Sequence, residues 1–221
     1  MTAVLFDMDG VLVDSEDYWV EFQREEILPR TVPEEDVDVA EVTGMNYRET
    51  YDYLESEYGT EIDRDRFEEL FEEAAREIYT ERVTALDGLE DLLSRLDDRG
   101  VPTVIVSSSP HEWIGWVADR FDLEDEFDRL ISADDVDSGS KPDPDVFEYA
   151  ASEIGAEAEE CLVVEDSENG IEAADRAGTR VVAYRIDAHD DIDLSSADAV
   201  VDSPAELRET VLEWATPATN D

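Results

Sequence analysis

The chain has 221 residues, and 16 Lys and Arg against 63 Asp and Glu give it a net charge of −47 at neutral pH. This balance excludes nucleic acids and anionic membranes as default partners, because both bind through a basic surface. Leu, Ile, Val and Phe still make up about a quarter of the chain, more than the roughly one-fifth typical of disordered sequences. We therefore expect a folded protein, either one domain with a large insert or two small domains.

The positive charges are unusual in kind, because all but one are Arg and the single Lys is Lys141. A surface this acidic repels itself in dilute buffer, whereas molar salt shortens the screening length to roughly 3 Å. The composition resembles that of cytosolic proteins from salt-accumulating halophiles, and we predict a halophilic, cytoplasmic protein. In agreement, the single Cys161 cannot form an internal disulfide, and no segment approaches the ~18 apolar residues of a membrane span.

Short apolar runs bounded by turn residues recur along the chain and predict β-strands. Stretches with the spacing of amphipathic helices separate them, for example at Leu89 to Leu96 and at Ile171 to Ala177. The predicted strands are Ala3 to Phe6, Pro102 to Val106, Leu130 to Ile131, Leu162 to Val164, Val181 to Tyr184 and Ala199 to Val201. Alternating strands and helices with continuous apolar strands are typical of an α/β fold with a doubly wound parallel sheet.

One long segment departs from this alternation, because residues 15–84 contain helical patterns and no convincing strand. Examples are the series that starts at Tyr18 and Phe22 and the series from Phe67 to Ile78. The segment interrupts the sheet directly after the first strand. We therefore predict a helical insert over residues 15–84 that folds as a second small domain, and an α/β core formed by residues 1–14 and 85–221.

The first strand ends in the sequence Asp7-Met8-Asp9-Gly10. Asp-x-Asp carries little information in so acidic a chain, since it also occurs at several other positions. Only this copy directly follows a predicted buried strand. Its carboxylates should therefore lie at the carboxyl edge of the sheet, where open α/β folds bind their ligands.

Three further segments bring polar groups toward the same edge. The run VPTVIV leads into Ser107, Ser108 and Ser109. A loop with the sequence SKPDPDVF contains Lys141, and CLVV leads into Glu165 and Asp166. If these segments converge, several carboxylates share one site with a hydroxyl and an ammonium group. So much negative charge requires a cation, and oxygen ligands without His or Cys favour Mg²⁺.

These motifs resemble those of haloacid dehalogenase superfamily phosphatases, in the branch with a helical cap after the first strand. The branch includes phosphoglycolate phosphatases and β-phosphoglucomutases. The resemblance runs from Leu5 to about Ala183 and rests on DMDGVLVDSE, VIVSSS, SKPDPDVF and VVEDSENGIEAADRAG. It implies hydrolysis of a small phosphomonoester through an aspartyl-phosphate intermediate.

The resemblance also implies roles for individual residues. Asp7 would be the nucleophile, and Asp9 would be the general acid for the leaving oxygen and then the base for water. Ser107 would hydrogen-bond a phosphoryl oxygen, and Lys141 would neutralise charge on the phosphoryl group and on Asp7. The predicted magnesium ligands are Asp7, the backbone carbonyl of Asp9, Asp166 and, directly or through water, Glu165.

A second set of residues is predicted to bind the substrate. It consists of Gly10, Ser108, His111, Glu16, Trp19 and Arg48. Arg48 lies in a turn-like loop of the insert and suits a second anionic group on the substrate, with a salt bridge inside the cap as the alternative. Trp19 alternatively belongs to the core of the cap, and His111 to an ordinary helix start on the surface.

Other activities of the superfamily fit less well. Asp9 favours phosphoryl transfer over carbon–halogen cleavage, because the dehalogenases lack that second aspartate. Phosphonoacetaldehyde hydrolysis needs a lysine in the cap, and this cap has none. A β-phosphoglucomutase-type mutase remains the main alternative, although the cap-hinge histidine of that family falls here at Trp19.

A phospho-aspartate signalling receiver is the alternative from another class of protein. Receivers also have a doubly wound sheet with acidic residues, Ser or Thr and Lys around a phosphorylated aspartate, but they lack the long helical insert. The expected partner is a small phosphorylated metabolite rather than a nucleic acid or a membrane, and the expected state is a monomer or a weak dimer.

Overall fold

The computed structural model describes residues 3–136, 141–189 and 192–215, which form two compact units. The larger unit comprises Met1–Asp14 and Thr84–Asp221, and the smaller unit comprises Ser15–Val83. Thr84 lies in the larger unit because its backbone pairs with Asp14: the N–H of Thr84 donates to Oδ1 of Asp14 (2.5 Å), and its carbonyl accepts from the N–H of Asp14 (3.2 Å).

The larger unit is built on a six-stranded parallel sheet with the strand order β3-β2-β1-β4-β5-β6. Its strands are β1 (Ala3–Phe6), β2 (Thr103–Ser107), β3 (Arg129–Ser132), β4 (Cys161–Glu165), β5 (Arg180–Tyr184) and β6 (Ala199–Val201). Every residue of the central strands β1, β2 and β4 is buried, because helices cover the sheet. The prediction of a doubly wound parallel sheet is confirmed.

In the described part of the larger unit, five α-helices cover the sheet: the first lies between the smaller unit and β2, and the others come after β2, β3, β4 and β6. They are α5 (Leu89–Asp97), α6 (His111–Phe121), α7 (Asp145–Glu153), α8 (Glu168–Arg176) and α9 (Pro204–Trp214). The strand order reverses between β1 and β4, since β2 and β3 extend the sheet on one side and β4 to β6 on the other. The carboxyl ends of β1 and β4 therefore meet where such sheets bind ligands.

The smaller unit contains helices and no β-strand among its residues. Its α-helices are α1 (Glu16–Phe22), α2 (Leu28–Thr31), α3 (Tyr47–Glu57) and α4 (Arg64–Glu77). Aromatic rings form its centre: Phe71 lies 5.6 Å from Trp19, 5.7 Å from Phe22 and 4.9 Å from Phe67, measured between ring centroids. Among the described residues of the whole chain, no helix combines the length and the apolar character needed to cross a membrane.

Candidate active site

The candidate site begins where the two central strands end. Asp7 directly follows β1, and its backbone N–H donates to the carbonyl of Val164 in β4 (3.0 Å), so that the two strand ends stay in register. Glu165 is the last residue of β4, and Asp166 follows it. All three acidic side chains are buried, with 7%, 0% and 2% of their residue surfaces exposed.

Lys141 joins the two strand ends. Its Nζ donates to Oδ1 of Asp7 (2.5 Å), to Oε1 of Glu165 (2.6 Å) and to the carbonyl of Val106 in β2 (3.2 Å). An ammonium group has three N–H donors, so these contacts use all of them. The single lysine of the chain is therefore a buried cation that holds two buried carboxylates together.

Burial and charge act against each other on this ion pair. Burial raises the pKa of Asp7 well above its ordinary value; Lys141 opposes that rise, while the carboxylates of Glu165 and Asp166 add to it. Burial alone would lower the pKa of Lys141, but the negative charges of Asp7 and Glu165 outweigh it and raise the pKa. The ammonium is therefore charged at neutral pH, and it lies among three buried acidic side chains.

Glu165 is held on both of its carboxylate oxygens. Oε1 accepts from Lys141, while Oε2 accepts from the N–H of Asp166 (3.1 Å) and from the N–H and hydroxyl of Ser167 (3.3 and 3.0 Å). Ser167 also caps α8 by accepting from the N–H of Gly170 (3.1 Å). A Cβ at Gly170 would lie 2.0 Å from the Glu165 carboxylate, so only glycine fits there.

The acidic side chains form a donor set that fits Mg²⁺. One carboxylate oxygen each from Asp7, Glu165 and Asp166 lies within 4.8 Å of the other two. A Cβ at Gly10, whose φ is +73°, would lie 2.0 Å from Oδ2 of Asp166, so glycine there leaves room beside the carboxylate. Hard oxygen donors without nitrogen or sulfur are the ligands that Mg²⁺ prefers.

Asp9 is half-buried, two residues after Asp7, and is linked to the end of β2. Its Oδ2 accepts a hydrogen bond from the hydroxyl of Ser109 (3.1 Å). The backbone N–H of Ser109 in turn donates to Oγ of Ser107 (3.0 Å). Ser107, buried at the last position of β2, can therefore direct its own hydroxyl proton to another acceptor.

Two other predicted residues of the larger unit, Ser108 and His111, follow β2. Ser108 is half-buried between Ser107 and Ser109. His111 begins α6, and its Nε2 contacts both carboxylate oxygens of Asp135 (2.8 and 2.9 Å) while half of its side chain is exposed. The substrate-binding role of His111 stays a prediction.

The predicted substrate-binding residues of the insert lie in the smaller unit. Trp19 donates from its indole N–H to the hydroxyl of Tyr79 (3.2 Å) and stacks on Phe71, which makes it part of the aromatic centre. Arg48 is exposed in the first turn of α3, 4.9 Å above the ring of Tyr47. Glu16 begins α1. The roles of Glu16, Trp19 and Arg48 toward the substrate remain predictions.

Two residues without a role in the sequence interpretation shape the site. Ser109 contacts Asp9, and Gly170 makes room for Glu165. Ser109 is the third serine of the run after β2, and Gly170 lies in the motif after β4, so both are close to predicted residues along the chain. Nothing in their spacing shows which side chain each one faces.

Comparisons with known proteins agree with this geometry. The sequence profile of haloacid dehalogenase-like hydrolases matches residues 1–178. The validoxylamine A 7'-phosphate phosphatase of Streptomyces hygroscopicus subsp. limoneus is 32% identical over 211 residues, covering 93% of this chain and 95% of the relative. Hexitol phosphatase B of Escherichia coli K12 is 29% identical over 221 residues, covering 93% of each chain.

A solved structure shows the same fold at lower identity. The β-phosphoglucomutase of Clostridium difficile superposes with a TM-score of 0.75 at 24% identity and covers 96% of both chains. The profile match spans most of the chain and includes Asp7, Asp9, Lys141, Glu165 and Asp166. The protein therefore belongs to the haloacid dehalogenase-like hydrolases.

Proposed function

We propose that this chain is a Mg²⁺-dependent phosphatase that hydrolyses a small phosphomonoester through an aspartyl-phosphate on Asp7. The observation that carries the proposal is the buried carboxylate of Asp7, which contacts Lys141 at 2.5 Å beside the buried carboxylates of Glu165 and Asp166. A nucleophilic carboxylate, a fixed ammonium and oxygen donors for a divalent cation are the groups that phosphoryl transfer requires.

The reaction proceeds in two steps. A carboxylate oxygen of Asp7 attacks phosphorus; the bond from phosphorus to the ester oxygen breaks, and Asp9 gives its proton to that leaving oxygen. Asp9, now a carboxylate, then takes a proton from a water molecule that attacks the aspartyl-phosphate. Inorganic phosphate leaves, Asp7 is regenerated, and Asp9 again carries its proton.

Fixed charges and donors stabilise the phosphoryl group. Lys141 is held by Glu165 and Val106, so its ammonium is already in place beside Asp7 when the phosphoryl group arrives. The hydroxyl of Ser107 accepts from the N–H of Ser109 and donates its own proton to a phosphoryl oxygen. Asp7, Asp166 and the Asp9 carbonyl, with Glu165 as a further candidate, would hold Mg²⁺, and the bound ion would supply positive charge against the phosphoryl oxygens.

The names of the relatives support a polyhydroxylated substrate, since one acts on validoxylamine A 7'-phosphate and another is a hexitol phosphatase. We include sugar phosphates and phosphoglycolate in the proposed substrate class. In this proposal the helical unit is the substrate-selecting cap, and Arg48, exposed on α3, is its candidate group for a second anion.

Phosphate release from p-nitrophenyl phosphate and from a panel of sugar phosphates and phosphoglycolate tests the proposal. In molar KCl with Mg²⁺ we expect multiple turnovers, which EDTA abolishes and added Mg²⁺ restores. Asp7→Asn should lose at least about 10³-fold in kcat; full turnover in that variant excludes Asp7 as the nucleophile. Conversion of β-glucose 1-phosphate to glucose 6-phosphate with a trace of the bisphosphate would instead identify a mutase.

We also propose that the acidic surface is an adaptation to a salt-rich cytoplasm, where the protein works as a monomer or a weak dimer. The net charge of −47 supports this, because repulsion among surface carboxylates weakens as ionic strength rises. The melting temperature should rise steadily from dilute buffer to multimolar KCl. Equal stability without salt would refute the adaptation and leave the proposed chemistry untouched.

A further inference from the structure

Ser109 makes a contact that the proposed mechanism does not yet use. Its hydroxyl donates to Oδ2 of Asp9 over 3.1 Å, between residues that are 100 positions apart in the chain. Only 8% of the Ser109 surface is exposed, so bulk water competes little for this hydrogen bond. The contact joins the end of β2 to the loop after β1.

The backbone of Ser109 is fixed on both sides of the side chain. Its N–H donates to Oγ of Ser107 (3.0 Å), and its carbonyl accepts from Oγ of Ser132 at the end of β3 (2.8 Å). Ser132 is fully buried, and its own N–H donates to Oδ2 of Asp135 (3.0 Å). Because the N–H and the carbonyl of Ser109 are both hydrogen-bonded, the direction of its Cα–Cβ bond is fixed. The hydroxyl therefore points toward Asp9.

A donor on Oδ2 also distinguishes the two oxygens of Asp9. An oxygen that accepts a hydroxyl proton is the less favourable one to carry the acid proton, so that proton belongs on Oδ1. General acid catalysis needs the proton within hydrogen-bond reach of the leaving oxygen, and a carboxyl group that rotates freely spends less time in that geometry.

We infer that Ser109 is a positioning residue that orients the Asp9 carboxyl group, so that Oδ1 presents the proton to the leaving oxygen. The inference rests on the proposed function, because it assigns a partner to the general acid of that reaction. Ser109 acts through Asp9 and touches neither the phosphoryl group nor the nucleophile in this role.

The leaving group of the ester provides the test. p-Nitrophenolate departs without a proton, whereas the sugar hydroxyl of glucose 6-phosphate needs one, and kcat/KM reports the phosphoryl-transfer step for each ester. In Ser109→Ala we expect kcat/KM for glucose 6-phosphate to fall by up to about tenfold, the upper end of the range for loss of one hydrogen bond between neutral groups. The value for p-nitrophenyl phosphate should change by less than about twofold.

Matched variants define the outcome. Asp9→Ala should show the same difference between the two esters in stronger form, and Ser109→Thr, which keeps the hydroxyl, should restore activity toward glucose 6-phosphate. Ser152→Ala removes an exposed serine hydroxyl that donates to the carbonyl of Tyr149 in α7, and it should leave both values unchanged. An equal loss for both esters in Ser109→Ala, or no loss, overturns the inference.

A second variant covers the case in which Ser109→Ala does not fold. Ser132→Ala keeps the Ser109 hydroxyl but releases its carbonyl, and it should lower kcat/KM for glucose 6-phosphate selectively and by a smaller factor. Equal effects on both esters in this variant also count against the inference. If Asp7→Asn keeps full turnover, the proposed function itself is wrong; if it is inactive while the ester difference is missing, only the role of Ser109 fails.

Discussion

The two units of the chain use charge in opposite ways. In the α/β unit, the side chain of Lys141 is 5% exposed, and its ammonium contacts Asp7 and Glu165, whose side chains are 9% and 0% exposed. In the helical unit, charged side chains stay in water: Arg66 contacts Glu69 at 2.9 Å with side-chain exposures of 44% and 61%. Apolar and aromatic side chains fill the interior of that unit instead.

This difference shows that acidic residues in one chain serve two purposes. A buried ion pair has lost its hydration and depends on its partners, so removal of one member leaves the other charge uncompensated. In an exposed pair, water can replace either charged side chain, so its removal costs little free energy of unfolding. The excess of acidic residues in the chain therefore belongs mainly to its surface, whereas the proposed catalysis depends on the few charged groups that are buried.

Loss of the buried cation should have the largest effect. Lys141→Met leaves the carboxylates of Asp7 and Glu165 buried without it, and we expect a loss of about 3–5 kcal/mol in the free energy of unfolding. Phosphatase activity should fall at least about 10³-fold. The control Arg66→Met removes an exposed pair and should cost less than about 1 kcal/mol. Urea unfolding and phosphate release measure both; similar costs for the two variants would contradict the distinction.

Truncation of the central ring in the helical unit should be nearly as costly. Phe71 is 3% exposed, and its ring lies within 6 Å of Trp19, Phe22, Tyr47 and Phe67. Phe71→Ala should destabilise the protein by about 3–5 kcal/mol through the cavity that it leaves. Phe121→Ala, at a half-buried position at the end of α6, is the control with a smaller expected loss. Thermal unfolding measures the loss of stability in both variants. Equal losses would contradict a larger contribution of the aromatic centre to stability.

A methyl group at Gly170 should displace the Glu165 carboxylate and so disturb its contact with Lys141. Its Cβ would lie 2.0 Å from the Glu165 carboxylate, so Gly170→Ala must displace the group that holds Lys141. We expect a loss of about 1–3 kcal/mol and reduced phosphatase activity. Gly115→Ala in α6 is the matched control: a Cβ there meets nothing within 4 Å, and the change should stabilise the helix by about 0.5–1 kcal/mol. An increase in the free energy of unfolding of both variants would contradict the close contact between Gly170 and the Glu165 carboxylate.

The smallest predicted effect concerns a pH-dependent contact on the helical unit. The hydroxyls of Tyr58 and Tyr53 both donate to Oε2 of Glu41 at 2.7 Å, and they lower the pKa of Glu41. A lowered pKa in the folded state stabilises the fold above the ordinary value near 4.5 and loses that effect as the pH falls through the folded pKa. The stability difference between wild type and Glu41→Gln should therefore shrink in acid. A difference that is constant with pH in urea unfolding would contradict this contact.

Much of the fold followed from local patterns in the sequence. Each predicted strand is present, because short continuous apolar runs between turn residues favour strands of a sheet that helices cover. The helical nature of residues 15–83 followed from their periodicity. Trp19 had two open interpretations, and the aromatic contacts place it in the centre of its unit, a result of packing that spacing alone does not reveal.

The sequence by itself determined the sheet, the helical insert and the chemical types at the strand ends, because these depend on periodicity and on the order of residues along the chain. Only the tertiary structure decided which further groups meet: Lys141 with Glu165 across 24 positions, and Ser109 with Asp9 across 100. Such contacts depend on how loops leave different strands and on which polar groups are buried together. A hydrogen bond needs its two atoms within about 3 Å, and this precision comes from the packed fold rather than from any spacing along the chain.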